Sequence, residues 1–273
     1  MAMPYIRDLM SEPSERPAAV DWSALDAVLF DLDGVLTPTA VIHEQAWASM
    51  FDAFLAHNAS GDAWSPFSAE DYLRYVDGKP RFDGVRSFVA SRRIALPEGT
   101  HDDPPGYDSV GAMGNKKNES FQQILRTEGI APYPGSVLVL DALEARGTGM
   151  AVVSSSRNAP EVLEASGLAT RFDVVVDGNV AARLGLPGKP APDTFLAAAA
   201  QLGAPAQRAA VAEDAISGVA AGRAGGFGLV IGVDRGAGHR ELLDNGADIV
   251  VADLAELLDS LTVPIGSTES PRP

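Results

Sequence analysis

Residues 28–39 read Val-Leu-Phe-Asp-Leu-Asp-Gly-Val-Leu-Thr-Pro-Thr, and this stretch narrows the architectures open to the chain. Ala27, Val28, Leu29 and Phe30 make an unbroken apolar run with β-branched and aromatic character, as in a strand buried on both faces of a parallel sheet. The run stops abruptly at two acids, Asp31 and Asp33, followed by Gly34. Open α/β sheets bind ligands beyond the carboxyl ends of their strands, so two carboxylates arrive at the usual site edge. Gly34 lets the backbone approach a ligand or take positive φ. A strand followed by an ordinary polar turn is the plainer reading, since Asp and Gly are common in turns. Against it, two acids one residue apart face the same way and repel unless a cation neutralises them.

The rest of the chain is organised around that strand. Residues 1–20 are rich in Pro, Ser and Glu without apolar periodicity, which predicts a flexible arm. Ile42, Ala46, Trp47, Met50, Phe51, Phe54 and Leu55 then recur at helical spacing. Further helices are expected at 69–76, 84–91 and 118–128, with a long loop at 96–114 that holds Pro97, Pro104 and Pro105. After Tyr133-Pro134-Gly135, strands at 150–153, 174–176, 209–212, 228–231 and 248–251 alternate with helices at 137–146, 159–166, 191–202, 216–224 and 254–261. Such alternation means βαβ units and a parallel sheet covered on both faces. The expected fold is therefore α/β: a Rossmann-like parallel-sheet core over 21–41 and 131–263, with an inserted helical cap domain at 42–130 and a frayed tail at 264–273.

Charge limits the partners. Lys and Arg number 21 against 37 Asp and Glu, a formal charge of -16. Nucleic acid and anionic membrane surfaces need clustered cations, so neither is expected as a partner. One segment runs against the acidity, because Lys79, Arg81, Arg86, Arg92, Arg93, Lys116 and Lys117 place a third of the basic residues within 79–117. It is suited to an anionic ligand, although a solvated helix face accounts for most of these residues singly. The chain has no cysteine, which excludes disulfides and thiolate metal sites. No stretch has the apolar length of a membrane span, and residues 1–20 lack the apolar centre of a signal peptide. A soluble, cytoplasmic protein, a monomer or weak homodimer acting on a small molecule, is expected.

Three further strand ends carry polar clusters. Ser154, Ser155 and Ser156, followed by Arg157 and Asn158, open a helix, where hydroxyls and amides either cap it or hold a phosphate. Lys189 lies in Gly-Lys-Pro-Ala-Pro-Asp, a loop stiffened by two prolines. Glu213 and Asp214 end the strand at 209–212, where capping the next helix is the plainer role. Together the four clusters are complementary. The acids Asp31, Asp33, Glu213 and Asp214 form the candidate metal set, with oxygens from Asp31 and Asp214 suited to Mg²⁺, a hard cation that keeps several waters. A phosphoryl group between the metal, Lys189 and the Ser154 hydroxyl would have its charge neutralised on three sides. Asp31 is then the carboxylate nucleophile that forms an aspartyl phosphate, and Asp33 the general acid and base.

These motifs, Asp31-Leu-Asp-Gly, Ser154-Ser-Ser, Lys189-Pro and Glu213-Asp214, resemble those of the haloacid dehalogenase superfamily, and the insert resembles its cap domain. An acid at Asp33 is similar to the phosphatase and phosphomutase branches rather than the dehalogenases. Within the superfamily the chain resembles the β-phosphoglucomutase family, through residues 31–43 with Trp47, Gly78-Lys-Pro-Arg81, Lys116-Lys117-Asn118 and Ser154-Ser-Ser-Arg-Asn158. The resemblance implies that Arg81 and Lys117 grip the distal phosphate of a sugar bisphosphate and that His43 lies near the reacting hydroxyl. It implies a substrate-binding set of Gly34, Arg81, Lys117, Ser154, Ser155, Ser156, Asn158 and Lys189. The implied activity is a Mg²⁺-dependent interconversion of β-glucose 1-phosphate and glucose 6-phosphate, with sugar-phosphate hydrolysis as the alternative and a catalytically idle binding module as a third reading. The chain departs from the pattern at Pro38, where an acid is usual, and in the length of the 96–114 loop.

Overall fold

The structure is a computed structural model that describes residues 20–58, 65–76, 79 and 81–262. The expected arm and tail, apart from Val20, lie outside these residues, as do Gly78 and Pro80. Among the described residues six strands form one parallel sheet: β1 (Ala27–Phe30), β2 (Gly149–Val153), β3 (Val174–Val176), β4 (Ala209–Glu213), β5 (Leu229–Val233) and β6 (Ile249–Val251), in the order β3-β2-β1-β4-β5-β6. All four residues of β1 are buried. Val28 and Phe30 join one apolar layer with Val152, Ala212 and Leu140, while Ala27 and Leu29 join the other with Val153, Val211 and Phe195. Burial on both faces is what an uninterrupted apolar run permits and an alternating one does not.

The chain leaves β1 toward neighbours on both sides, so the order of strands reverses there and a crevice opens beyond its carboxyl end. Register aligns the contributors. Phe30 pairs with Val152 on β2 and Ala212 on β4, which brings the residues following each strand to one edge.

The helices are α1 (Thr39–Asn58), α2 (Ala69–Asp71), α3 (Arg81–Ser91), α4 (Val110–Glu128), α5 (Pro134–Arg146), α6 (Ala159–Ala165), α7 (Gly178–Leu184), α8 (Asp193–Gln201), α9 (Ile216–Ala224), α10 (His239–Asp244) and α11 (Leu258–Leu261). A π-helical turn, Tyr72–Val76, continues α2, and a tight turn, Leu254–Leu257, precedes α11. The helices α1 to α4 build the inserted cap around Trp47, Phe51, Phe54, Phe67, Phe88 and Met113. The Phe51 and Phe88 rings lie 3.9 Å apart and the Trp47 and Phe51 rings 5.2 Å apart, each aromatic pair contributing about 0.5–1.5 kcal/mol beyond area burial. Among the described residues only α1 and α4 reach both apolar masses: Ile42, Ala46, Phe121 and Leu125 pack with the sheet layer, Trp47, Met50 and Met113 with the cap.

Two expectations need correction. The loop expected at 96–114 ends at Ser109, which caps α4 by accepting the Ala112 amide at 3.0 Å. Gly111 and Gly114, read as loop residues, are inside the helix because neighbours press on it. A Cβ at Gly111 would meet the Thr100 carbonyl at 1.9 Å, and one at Gly114 the Phe82 ring at 2.6 Å. The helices α7 and α10 were not anticipated; both are short and lack a long apolar stripe. No described helix is long and apolar enough to cross a membrane.

Candidate active site

One buried ammonium ties three strand ends together. Lys189 Nζ donates to Asp31 Oδ1 at 2.5 Å, to Glu213 Oε1 at 2.6 Å and to the Val153 carbonyl at 3.0 Å, and lies 4.9 Å from the Phe195 ring centre. Burial works against its charge, but Asp31 and Glu213 more than offset this and hold its pKa above the usual lysine value. Asp31 is also fixed by its backbone, since its amide donates to the Ala212 carbonyl at 2.9 Å and extends the β1–β4 ladder. The remaining oxygen of Glu213, Oε2, accepts the Ala215 amide at 2.8 Å. Its side chain lies against Gly218, where a Cβ would come within 1.8 Å of Oε1.

Asp214 leans on the loop after β1. Gly34 has φ +85, and a Cβ there would approach Asp214 Oδ2 to 1.9 Å, so this position needs glycine for both conformation and space. Asp33 accepts from two hydroxyls: Thr39 Oγ1 at Oδ1, and Ser154 Oγ at Oδ2, 3.2 Å away. Burial raises the pKa of Asp31 and Asp33, with neighbouring carboxylates adding to the rise at Asp31. Asp214 is pushed up to about 7 by burial, then by Glu213 and Asp33.

This donor set fits a hard cation. Four carboxylates face one ammonium, and Asp31 and Asp214 offer the oxygen chemistry that Mg²⁺ takes from one or two carboxylates. Among the described residues, however, no three acids or histidines are drawn together as a metal cluster. Glu213, expected in the metal set, has both oxygens engaged by Lys189 and Ala215.

The serine run forms a hydrogen-bonded turn. Ser154 Oγ accepts the Ser156 amide and Ser156 Oγ the Asn158 amide, each at 3.1 Å, while Ser155 is exposed. Asn158 reaches the cap helix α4, donating to Asn118 Oδ1 at 2.9 Å and accepting from Gln122 Nε2 at 3.2 Å.

On the cap side, Lys117 Nζ lies 2.6 Å from His43 Nδ1 and within 5.3 Å of the Trp47 and Phe121 ring centres. Burial, reinforced by Arg81, lowers Lys117 to about 7, and burial with Lys117 nearby lowers His43 to about 3. The imidazole is therefore neutral near pH 7. Arg81 lies over Phe82 at 4.8 Å, donates from Nη2 to Asn115 Oδ1 at 3.3 Å, and has a buried Nε without a hydrogen-bond partner. Its pKa is lowered by burial and then by Arg157, the exposed cation beside the serine run. Arg157 was not singled out from the sequence; the signal was a cation directly following three hydroxyls. Of the basic cap residues, Arg86, Arg92 and Lys116 are taken up by ion pairs, whereas Arg81 and Lys117 have none among the described residues, nor has Arg157 on the core side.

A switch-point crevice that offers a buried acid beside lysine, hydroxyls opposite it and a further cation group facing it defines a phosphoryl-transfer enzyme. Comparison with known proteins supplies the family. The family model described as haloacid dehalogenase-like hydrolase matches residues 25–226. A β-phosphoglucomutase of Mycobacterium bovis is 51% identical over 238 residues, 85% of this chain and 91% of the relative. A β-phosphoglucomutase of Bacillus subtilis is 30% identical over 236 residues, 85% and 92% of the two chains. A crystal structure of a haloacid dehalogenase family hydrolase from Deinococcus radiodurans, with bound phosphate and sodium, superposes with a TM-score of 0.64 at 29% identity, covering 89% of this chain and 99% of that one. The chain belongs to the haloacid dehalogenase-like hydrolase family.

Proposed function

We propose that the protein is a Mg²⁺-dependent phosphomutase that interconverts β-glucose 1-phosphate and glucose 6-phosphate through an aspartyl phosphate and a bisphosphate intermediate. The carrying observation is the cation group of the cap cleft. Arg81, Lys117 and Arg157 have no carboxylate in ion-pair range among the described residues, and Arg81 links the other two electrostatically while Lys117 also feels the charge of Asp33, so a cation group borders the acids at the sheet edge. Simple hydrolysis needs one anion site, whereas transfer between two positions of one sugar needs a second to hold the far phosphate.

In this reading Lys189 fixes Oδ1 of Asp31, leaving Oδ2 to attack phosphorus in line. The P–O bond to the sugar oxygen breaks as the Asp31–phosphorus bond forms, and Asp33 delivers the proton to the leaving oxygen. That step releases a sugar monophosphate from the bisphosphate; in the return step the free hydroxyl of an incoming sugar monophosphate attacks the aspartyl phosphate, Asp33 takes its proton, and the bisphosphate is regenerated. The hydroxyls of Thr39 and Ser154 aim the Asp33 carboxyl, and its raised pKa suits a group that both gives and accepts a proton. Asp31 and Asp214 would hold Mg²⁺, which when bound neutralises phosphoryl charge. Arg81 and Lys117 bind the distal phosphate, with Arg157, Ser156 and Asn158 on the facing wall.

The test measures two products at once. With Mg²⁺, β-glucose 1-phosphate and a trace of the bisphosphate, glucose 6-phosphate is expected to accumulate with little free phosphate. Stoichiometric free phosphate would replace the mutase with a phosphatase. Neither product across a panel of sugar phosphates would leave only a binding role.

A further inference from the structure

The loop after the two acids is held from outside by its own carbonyl groups. Gly34 O accepts from Arg235 Nε at 3.0 Å, Val35 O from Ser136 Oγ at 2.7 Å, and Leu36 O from the Tyr133 amide at 2.9 Å. Three successive carbonyls thus have donors from the start of α5 and from the loop after β5, and no donor belongs to the cap. Inside the turn, Leu32 O accepts the Leu36 and Thr37 amides at 3.0 Å, and Gly34 N donates to Thr37 O at 2.8 Å.

Arg235 is itself fixed on three sides. Its Nη1 donates to Ala252 O at 3.0 Å, its Nη2 to Asp253 Oδ2 at 3.2 Å, and its guanidinium lies 3.8 Å from the Tyr133 ring centre. Asp253 in turn packs on Gly135, where a Cβ would come 1.7 Å from Oδ1. Val35, Leu36 and Ser136 are fully buried, so a lost donor would not be replaced freely by water.

The same short segment has a second duty. Thr39 opens α1, one of the two helices that carry the cap, and its hydroxyl donates to Asp33. Any movement of the cap therefore pulls within a few residues of the reacting acids. We propose that Arg235 and Ser136 are positioning residues that clamp the carbonyls of residues 34–36, so that the cap turns about residues 37–39 while Asp31 and Asp33 stay in place. This inference rests on Asp31 and Asp33 as the reacting groups.

Arg235→Met is the primary test, with Ser136→Ala as the milder variant should the first fail to fold. Displacement of a reacting group by about 1 Å costs on the order of 100-fold, so Arg235→Met is expected to lower kcat about 100-fold and Ser136→Ala about tenfold, with KM changed less than about threefold. Hydrogen exchange in a peptide spanning residues 31–41 should accelerate in both variants. Leu143→Ala, a cavity in the same helix α5 away from the loop, serves as the stability control: at a matched fall in melting temperature its kcat should hold. Unchanged exchange in both clamp variants, kcat within about twofold of wild type in both, or an equal kcat loss in Leu143→Ala would each overturn the clamp. Asp31→Asn in the same assay separates the two ideas, because an active Asp31→Asn would refute the nucleophile assignment, whereas exchange at 31–41 reads the clamp whatever the chemistry.

Discussion

At the sheet edge Asp31 and Glu213 share one buried ammonium with Asp33 and Asp214 close by, whereas Arg81 and Lys117 of the cap and Arg157 beside them stand without a carboxylate in ion-pair range among the described residues. The two regions are also built differently. Asp31, Lys189 and Glu213 are cross-tied by short charge-assisted bonds between strand ends, while Lys117 and Arg81 rest on the faces of Trp47, Phe121 and Phe82. The first arrangement relies on short, strong, directional bonds; the second holds charge by the less directional attraction of aromatic faces. On the proposed mechanism the contrast is a division of labour: bond-making belongs to the rigid edge, and the cation group grips whichever phosphate is not reacting.

The largest effect should come from the rigid edge. Asp31→Asn keeps the volume and removes the nucleophilic charge, and is expected to lower kcat by at least about 10⁴-fold, as loss of an obligatory catalytic group does. Product formation under single-turnover conditions measures it, and turnover near wild type would break the comparison at its root.

Lys189→Met comes next and acts on stability as well as rate. It leaves Asp31 and Glu213 buried without a counter-charge, which costs about 3–5 kcal/mol for a broken buried ion pair. Urea unfolding measures the loss, and a change below about 1 kcal/mol would mean that the lysine is not the tie between the strands.

How much of this contrast was legible in the sequence follows from how local each feature is. Asp31, Asp33, Lys189 and Asp214 could be read because each directly follows an apolar run or sits in a proline-stiffened loop, a signal within a few residues. The joining of Glu213 to Lys189 could not, because it depends on β4 lying beside β1 and on Gly218 making room for the glutamate. The start of α4 was hidden for a related reason: Gly111 and Gly114 answer to Thr100 and Phe82, and local propensity treats them as helix breakers. Arg235 carried no local signal at all, since its partner Gly34 lies 201 residues away.

Arg81→Ala tests the adaptable side. Removing a charged hydrogen-bonding group costs about 1.5–3 kcal/mol, so KM for the sugar phosphate should rise on the order of 10- to 100-fold. Hydrolysis of a small aryl phosphate, which has no second phosphate to hold, should change less than about threefold by the same reasoning. Equal losses on both substrates would move Arg81 out of the distal site.

The smallest effect is a pH dependence with opposite signs for stability and binding. Buried Lys117 titrates at about 7 in the folded protein against 10.5 for an ordinary lysine, so between these values the unfolded chain binds the extra proton. Stability from this group must therefore rise with pH across that window, the penalty for burying the charge being fully present below it. His43, at about 3, stays neutral throughout and does not oppose the trend. Phosphate binding runs the other way, because only the protonated amine offers a charge to the anion, and affinity should weaken as pH rises above about 7. Lys117→Met removes both slopes, which is checked by denaturant unfolding and by KM measured from about pH 6.5 to 9 in the two proteins. Coincident slopes for wild type and Lys117→Met would show that the cleft holds its phosphate through Arg81 and Arg157 alone.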